Sequence, residues 1–177
     1  MGGTHFARLT RRYSGRMSLF MAASERDLLE RMLDHQREQI AAVLDDVTED
    51  EARARLVTSL TTLLGIVKHA TWVDRIWFEH RVAGTGRDEL GLAPTIDASF
   101  ALEPADSIHT IRQGFVNACE RSREIAATHH LDEEYEWRGK PVTLRFIYAQ
   151  LIQEYARHAG HADIVREQLA ARRDPQG

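Results

Sequence analysis

One proline-free stretch, from about Thr143 to Arg172, constrains this chain more than any other. Its inward positions step by three and four through Leu144, Ile147, Leu151, Glu154, His158, His161, Val165 and Leu169. That spacing is one stripe of an α-helix, and a stripe sustained over most of four heptads is a bundle-type seam. The seam should be apolar, yet Glu154, His158 and His161 interrupt it. An ionised carboxylate in a bundle core costs several kcal/mol unless something compensates it.

Three further helices complete the set. The first runs from about Ser24, a natural N-cap, to Asp46, with Leu29, Met32, Leu33, Ile40, Val43 and Leu44 in one stripe. Thr48 and Glu51 form a capping box for a short helix after it. The second long helix spans about Thr61 to Val82, with Ile66, His69, Val73, Ile76 or Trp77, and His80 along one face, and Gly84 and Gly86 end it. The third spans about Asp106 to Ala127 through Ile108, Ile111, Phe115, Ala118, Ser122 and Ile125. The expected fold is all-α, a four-helix bundle in one domain over residues 21–173, which suits 177 residues of which 43% are apolar. Residues 84–104 form a long Gly- and Pro-containing connection of the kind that often covers a site. Residues 131–143 can form a small hairpin turning at Arg138-Gly139-Lys140.

The net charge of −4 argues against a nucleic-acid partner. Residues 1–20 hold Arg8, Arg11, Arg12 and Arg16 and no acid; a disordered extension is expected there, with a targeting or anionic-surface arm as the alternative. No apolar run reaches the length of a secretory or membrane segment. Cys119 is the single cysteine, so no internal disulfide forms, and a packed side chain is its expected role. A cytoplasmic location follows as an expectation.

A divalent cation would compensate the misfit carboxylate directly. Glu154 and His158 are four residues apart and project from one helix face about one turn apart, so they can share one ion. His69, on the apolar stripe of the second helix, qualifies by position as the third ligand. Two imidazoles and a carboxylate suit zinc first, with open positions, and also admit iron(II), nickel or manganese. Blander readings stand beside this one. His69 can be a satisfied core histidine, Glu154 a partner of Arg145 or Arg157, and His158 a side chain reaching for solvent. His161 is a fourth ligand, a proton shuttle or a donor to a ligand; its candidate catalytic role is proton transfer. His80 reads as a rim residue, and His129 and His130 as cations at a helix C-terminus. Glu154-x-x-x-His158 occurs once, which argues for one metal rather than two.

The segment Leu63-Leu64-Gly65-Ile66-Val67-Lys68-His69 resembles the start of the second helix of the DinB-like superfamily, in the branch called domain of unknown function 664. Ile152-Gln153-Glu154-Tyr155-Ala156-Arg157-His158-Ala159-Gly160-His161-Ala162-Asp163 resembles that branch's last-helix hallmark, and the resemblance covers about residues 24–172. The superfamily includes the metal-binding domain of mycothiol-dependent maleylpyruvate isomerase and S-transferases using mycothiol or bacillithiol. The resemblance implies a bundle of up-down-down-up connectivity, often dimeric, with metal ligands that fall on His69, Glu154 and His158. A glutamate at the first last-helix position resembles the mycothiol-linked members. The isomerase carries a second, C-terminal domain and this chain ends at Gly177, so that isomerase activity is not expected.

Three functions follow as expectations. The first is a metal-dependent S-transferase that joins a low-molecular-weight thiol such as mycothiol to a small electrophile, with Trp72, Trp77 or Phe100 shaping an apolar pocket. The second is a metal-dependent hydrolase with His161 or Asp163 as base. The third is a non-enzymatic stress-response bundle with a structural metal. The expected partners are a thiol and an electrophile, and a second copy in a homodimer.

Overall fold

The computed structural model describes residues 24–57 and 60–173. The arginine-rich residues 1–20 lie outside the described residues. Helix α1 spans Glu25–Ala42 and a short α2 spans Glu49–Arg53. Helix α3 spans Leu63–Asp74 and continues as a π-helical segment, Arg75–Val82. A short α4, Ile96–Phe100, lies inside the long connection, followed by α5, Ile108–Ala127. A hairpin of β1, Glu134–Trp137, and β2, Lys140–Thr143, leads into α6, Leu144–Arg173. The fold is all-α apart from that hairpin, and the four long helices form a DinB-like bundle.

The local signals act as chemistry requires. Ser24 accepts from Asp27 N, and Thr48 and Glu51 exchange both bonds of a capping box. The hairpin turns on Arg138 and Gly139, both at positive φ (53° and 76°), the left-handed pair that matches strand twist in a two-residue loop.

Side-chain pairs give the helix directions. At the start of α6, Arg145 binds Glu25 near the start of α1; near its end, Arg166 binds the carbonyls of Val43 and Asp45, just past α1. Helices α1 and α6 therefore run parallel. His69 faces Glu154 while Trp77 meets Phe146, so α3 runs against α6. Arg26 reaches the Ala126 carbonyl and Arg112 reaches Asp45, so α5 runs against α1 and along α3. This is up-down-down-up. Two parallel neighbours cannot be joined by a short turn, so the chain between α3 and α5 must travel back along the bundle. That is why residues 84–104 are long, and it is how α4 reaches the start of α3.

The seam of α6 differs from the expected one. Leu144, Ile147, Leu151, Val165 and Leu169 are buried as expected, but Tyr155 and Ala162 take the inward places assigned to Glu154 and His161. The stripe drifts because a helix of 3.6 residues per turn outpaces a strict heptad. Glu154 and His158 lie on the flank of the seam, with side chains 24% and 13% exposed, and His161 is exposed. On α1, Met32 points to solvent and Arg37 lies inward between Leu33 and Ile40. The π-helical end of α3 widens the turn, so the regular spacing expected through Val82 holds only to Asp74.

A buried polar cluster ties the four long helices together. Asp74 Oδ1 accepts from Arg37 Nη2 at 2.5 Å, and Asp74 Oδ2 accepts from the Tyr155 hydroxyl. Arg37 also donates to Ser122 Oγ at 2.6 Å, while the Tyr155 hydroxyl lies 3.0 Å from the Ala70 carbonyl. Burial alone would pull the Arg37 guanidinium down, but the Asp74 carboxylate more than reverses this and holds it above its ordinary value. Cys119 packs beside Asp74, and burial pushes its thiol well up, which agrees with a packed side chain rather than a nucleophile.

Candidate metal centre

Helix α3 begins on a Thr62 cap, whose hydroxyl accepts from Gly65 N at 2.9 Å. Leu63 through Val67 are all buried, because α3 is covered on one side by α5 and α6 and on another by α4. His69 follows on this enclosed helix, 2% exposed. From α6, Glu154 and His158 reach it one turn apart. His158 Nε2 lies 3.1 Å from Glu154 Oε1, and His69 Nε2 lies 3.5 Å from the same oxygen. Among the described residues, one group of potential ligands forms, His69, Glu154 and His158, with a ligand atom from each within 4.8 Å of the others.

The connection closes the site from the other side. Phe100 stacks on the His69 ring at 4.0 Å between centroids and 12° between planes, and Trp72 stacks at 5.9 Å. Ser99 Oγ sits 2.7 Å from His69 Nδ1 and donates its proton to the Ile96 carbonyl. A hydroxyl has one proton. With that proton on Ile96, Ser99 accepts from His69, so Nδ1 carries the hydrogen and Nε2 presents a lone pair to Glu154. Two acceptors then face each other across 3.5 Å. Burial, above all, holds the His69 imidazolium below its ordinary value, so a proton is a poor bridge at neutral pH.

The residues fit a divalent cation. Donors 2.0–2.1 Å from a tetrahedral ion stand about 3.3 Å apart. The two separations to Glu154 bracket that length. The Glu154 carboxyl is held well below the usual carboxylate range, first by the His158 hydrogen bond, and stays ionised. His158 Nδ1 is buried without a hydrogen-bond partner, so this imidazole is not held as an ordinary satisfied core histidine.

Other expected residues fall elsewhere. His161 lies outside the ligand group, its ring 5.9 Å from that of His158. Arg145 pairs with Glu25 and Asp132 rather than with Glu154. Trp77 packs on Trp137 and Phe146 by the hairpin, away from His69's stack, whereas Trp72 and Phe100 flank the histidine. His80 binds the Thr85 carbonyl at 2.8 Å and His129 bonds Glu133 at 2.7 Å. Ser99 was not legible, since a five-residue helix shows no periodicity; the cap at Thr95 was its one trace.

Acid should weaken the metal-free chain. A His whose folded value is lowered binds fewer protons folded than unfolded, so stability is lost as pH falls below the unfolded value of about 6.5. Glu154, also lowered, acts in the same direction below about 4.5. Urea midpoints taken with chelator present should fall from pH 7.5 to 5.5, and fall less in His69→Gln. A steeper fall in that variant would contradict the placement of His69.

No helix among the described residues is long and apolar enough to cross a membrane. No curated protein gives a significant match to the chain. The family model for Mycothiol-S-transferase matches residues 28–171. That span runs from Leu28 on α1, across the candidate ligands, to Ala171 in the last turn of α6. On the fold, the three-residue cluster and this match, the chain belongs to the mycothiol-S-transferase family of the DinB-like superfamily.

Proposed function

We propose that this protein is a metal-dependent S-transferase that joins a low-molecular-weight thiol of the mycothiol type to a small electrophile. The observation that carries the reading is the three-residue ligand group, in which His69 Nε2 lies 3.5 Å from Glu154 Oε1. Three protein ligands leave a position for an outside sulfur. A bound divalent ion, zinc first among the candidates, supplies the stabilisation that keeps a thiol as thiolate, its nucleophilic form.

The chain's own residues do the rest. His69, Glu154 and His158 hold the ion. Phe100 and Trp72 wall the site and keep water from its buried side. The exposed His161 takes the thiol's proton at the rim. The sulfur forms a bond to the electrophilic carbon, and the leaving group departs with the electrons of the bond it held.

Purified protein loaded with zinc, nickel, iron or manganese would be assayed with mycothiol, with other small thiols and with none, against a chromogenic electrophile. Turnover that requires both metal and thiol is expected. Turnover without thiol would favour hydrolysis instead, and no turnover with any metal would favour a structural ion. His161→Ala should keep zinc affinity within about twofold and lower kcat by about 10²-fold, the usual scale of a positioned acid or base. An unchanged kcat would remove His161 from the chemistry.

A further inference from the structure

Ser99 belongs to no long helix, yet it is 2% exposed and holds the nitrogen of His69 that faces away from Glu154. Its hydroxyl is spoken for on both sides, by Ile96 as acceptor and His69 as donor. Its neighbour Phe100 stacks on the same ring and also leans on His158, at 5.7 Å between centroids. The close approach of this segment to α3 depends on Gly65. A Cβ there would stand 2.9 Å from the Phe100 carbonyl oxygen and 2.9 Å from Thr62 Oγ1. The connection is pinned further along its length. Trp72 Nε1 and Arg87 both donate to the Ala93 carbonyl at 2.9 Å, and Arg75 donates to the Leu90 carbonyl at 3.0 Å.

We propose that Ser99 is a positioning residue for the metal site: it fixes the His69 tautomer that presents Nε2 to the ion, and so couples docking of the 84–104 connection to metal binding. The proposal rests on the metal reading above. With Ser99 in place, His69 is held in the binding tautomer and orientation before metal arrives. Without it, Nδ1–H is left buried and unpaired, and the proton can move to Nε2, where it competes with the ion. Coupling is reciprocal, so metal bound to His69 must in turn hold α4 against α3.

The test uses the full chain, zinc-free and zinc-loaded, as wild type, Ser99→Ala, Gly65→Ala and His69→Ala. Zinc affinity is read by chelator competition, the His69 tautomer by long-range ¹H–¹⁵N correlation in the zinc-free protein, and docking of residues 95–101 by amide exchange. Ser99→Ala should bind zinc about 10–100-fold more weakly, the usual cost of losing a group that orients a ligand. Gly65→Ala should weaken binding in the same direction. Wild-type His69 should show the Nδ1–H pattern, and Ser99→Ala a population of Nε2–H. Zinc should slow exchange at residues 95–101 in the wild type and not in Ser99→Ala.

If His69→Ala loses zinc while Ser99→Ala stays within twofold of wild type, the Ser99 proposal is overturned and the metal reading stands. If His69→Ala keeps zinc affinity, the metal reading itself has failed. An Nε2–H pattern in the zinc-free wild type overturns the proposal even if Ser99→Ala does not fold. A merely structural Ser99 would change thermal stability but leave both tautomer and exchange coupling unaltered.

Discussion

The Asp74→Ala variant is expected to lose about 3–5 kcal/mol of unfolding free energy, the cost of leaving a buried charge without its partner. Asp74 is fully buried and Arg37 is 5% exposed, so water does not replace the missing carboxylate. Asp34 and Ser122 remain near Arg37, at 3.1 and 2.6 Å, and keep the loss at that scale rather than above it. For a domain of this size the melting temperature should fall by about 10 °C. The double variant Arg37→Met with Asp74→Leu should recover much of the loss, because apolar replacement of a buried pair is often neutral. Thermal and urea unfolding check both. A loss under 1 kcal/mol in Asp74→Ala would mean that the pair is not the tie it looks to be.

The same cluster bears on the metal site. The Tyr155 hydroxyl binds Asp74 and lies 3.0 Å from the Ala70 carbonyl. Its neighbour Glu154 is a candidate ligand, and Ala70 follows His69. Fixing Tyr155 therefore fixes the register of α6 on α3 at the height where Glu154 and His158 face His69.

His158→Ala is expected to weaken zinc binding by about 10²–10³-fold. Structural zinc sites of four ligands bind with about 10–16 kcal/mol, so one ligand is worth about 3–4 kcal/mol. Zinc at a thousand times the wild-type Kd should add about 4 kcal/mol to wild-type stability, and under the same conditions only about 0.4–1.4 kcal/mol to His158→Ala. Thiol transfer should disappear with the zinc. Denaturant unfolding with and without zinc, beside the transfer assay, measures both. Full wild-type zinc stabilisation in His158→Ala would exclude His158 as a ligand.

Much of the bundle was legible because its signals are local. The stripe through Ile111, Phe115, Ala118, Ser122 and Ile125 is buried as expected, and the capping box at Thr48 and the hairpin turn at Gly139 are in place. The candidate ligands were legible as polar residues where apolar ones belong. What failed was angular resolution. A strict heptad put Glu154 and His161 on the seam, and the structure gives those places to Tyr155 and Ala162. The gap in the α1 stripe between Leu33 and Ile40 held Arg37, but a buried arginine cannot be inferred until its partner is known. Asp74 lies 37 residues away, at the onset of a π-helical segment that no periodicity announces. Ser99 was hidden for a similar reason, since its role depends on a connection crossing the bundle.

The central claim is one divalent ion held by His69, Glu154 and His158. Elemental analysis of the purified chain, with X-ray absorption at the metal edge, tests it most directly. The expected result is about one metal per chain, a light-atom shell containing about two imidazoles, and loss of the metal in His69→Ala and His158→Ala. A wild-type chain that takes up less than about a tenth of an equivalent from excess zinc, or variants that keep the full complement, would contradict it.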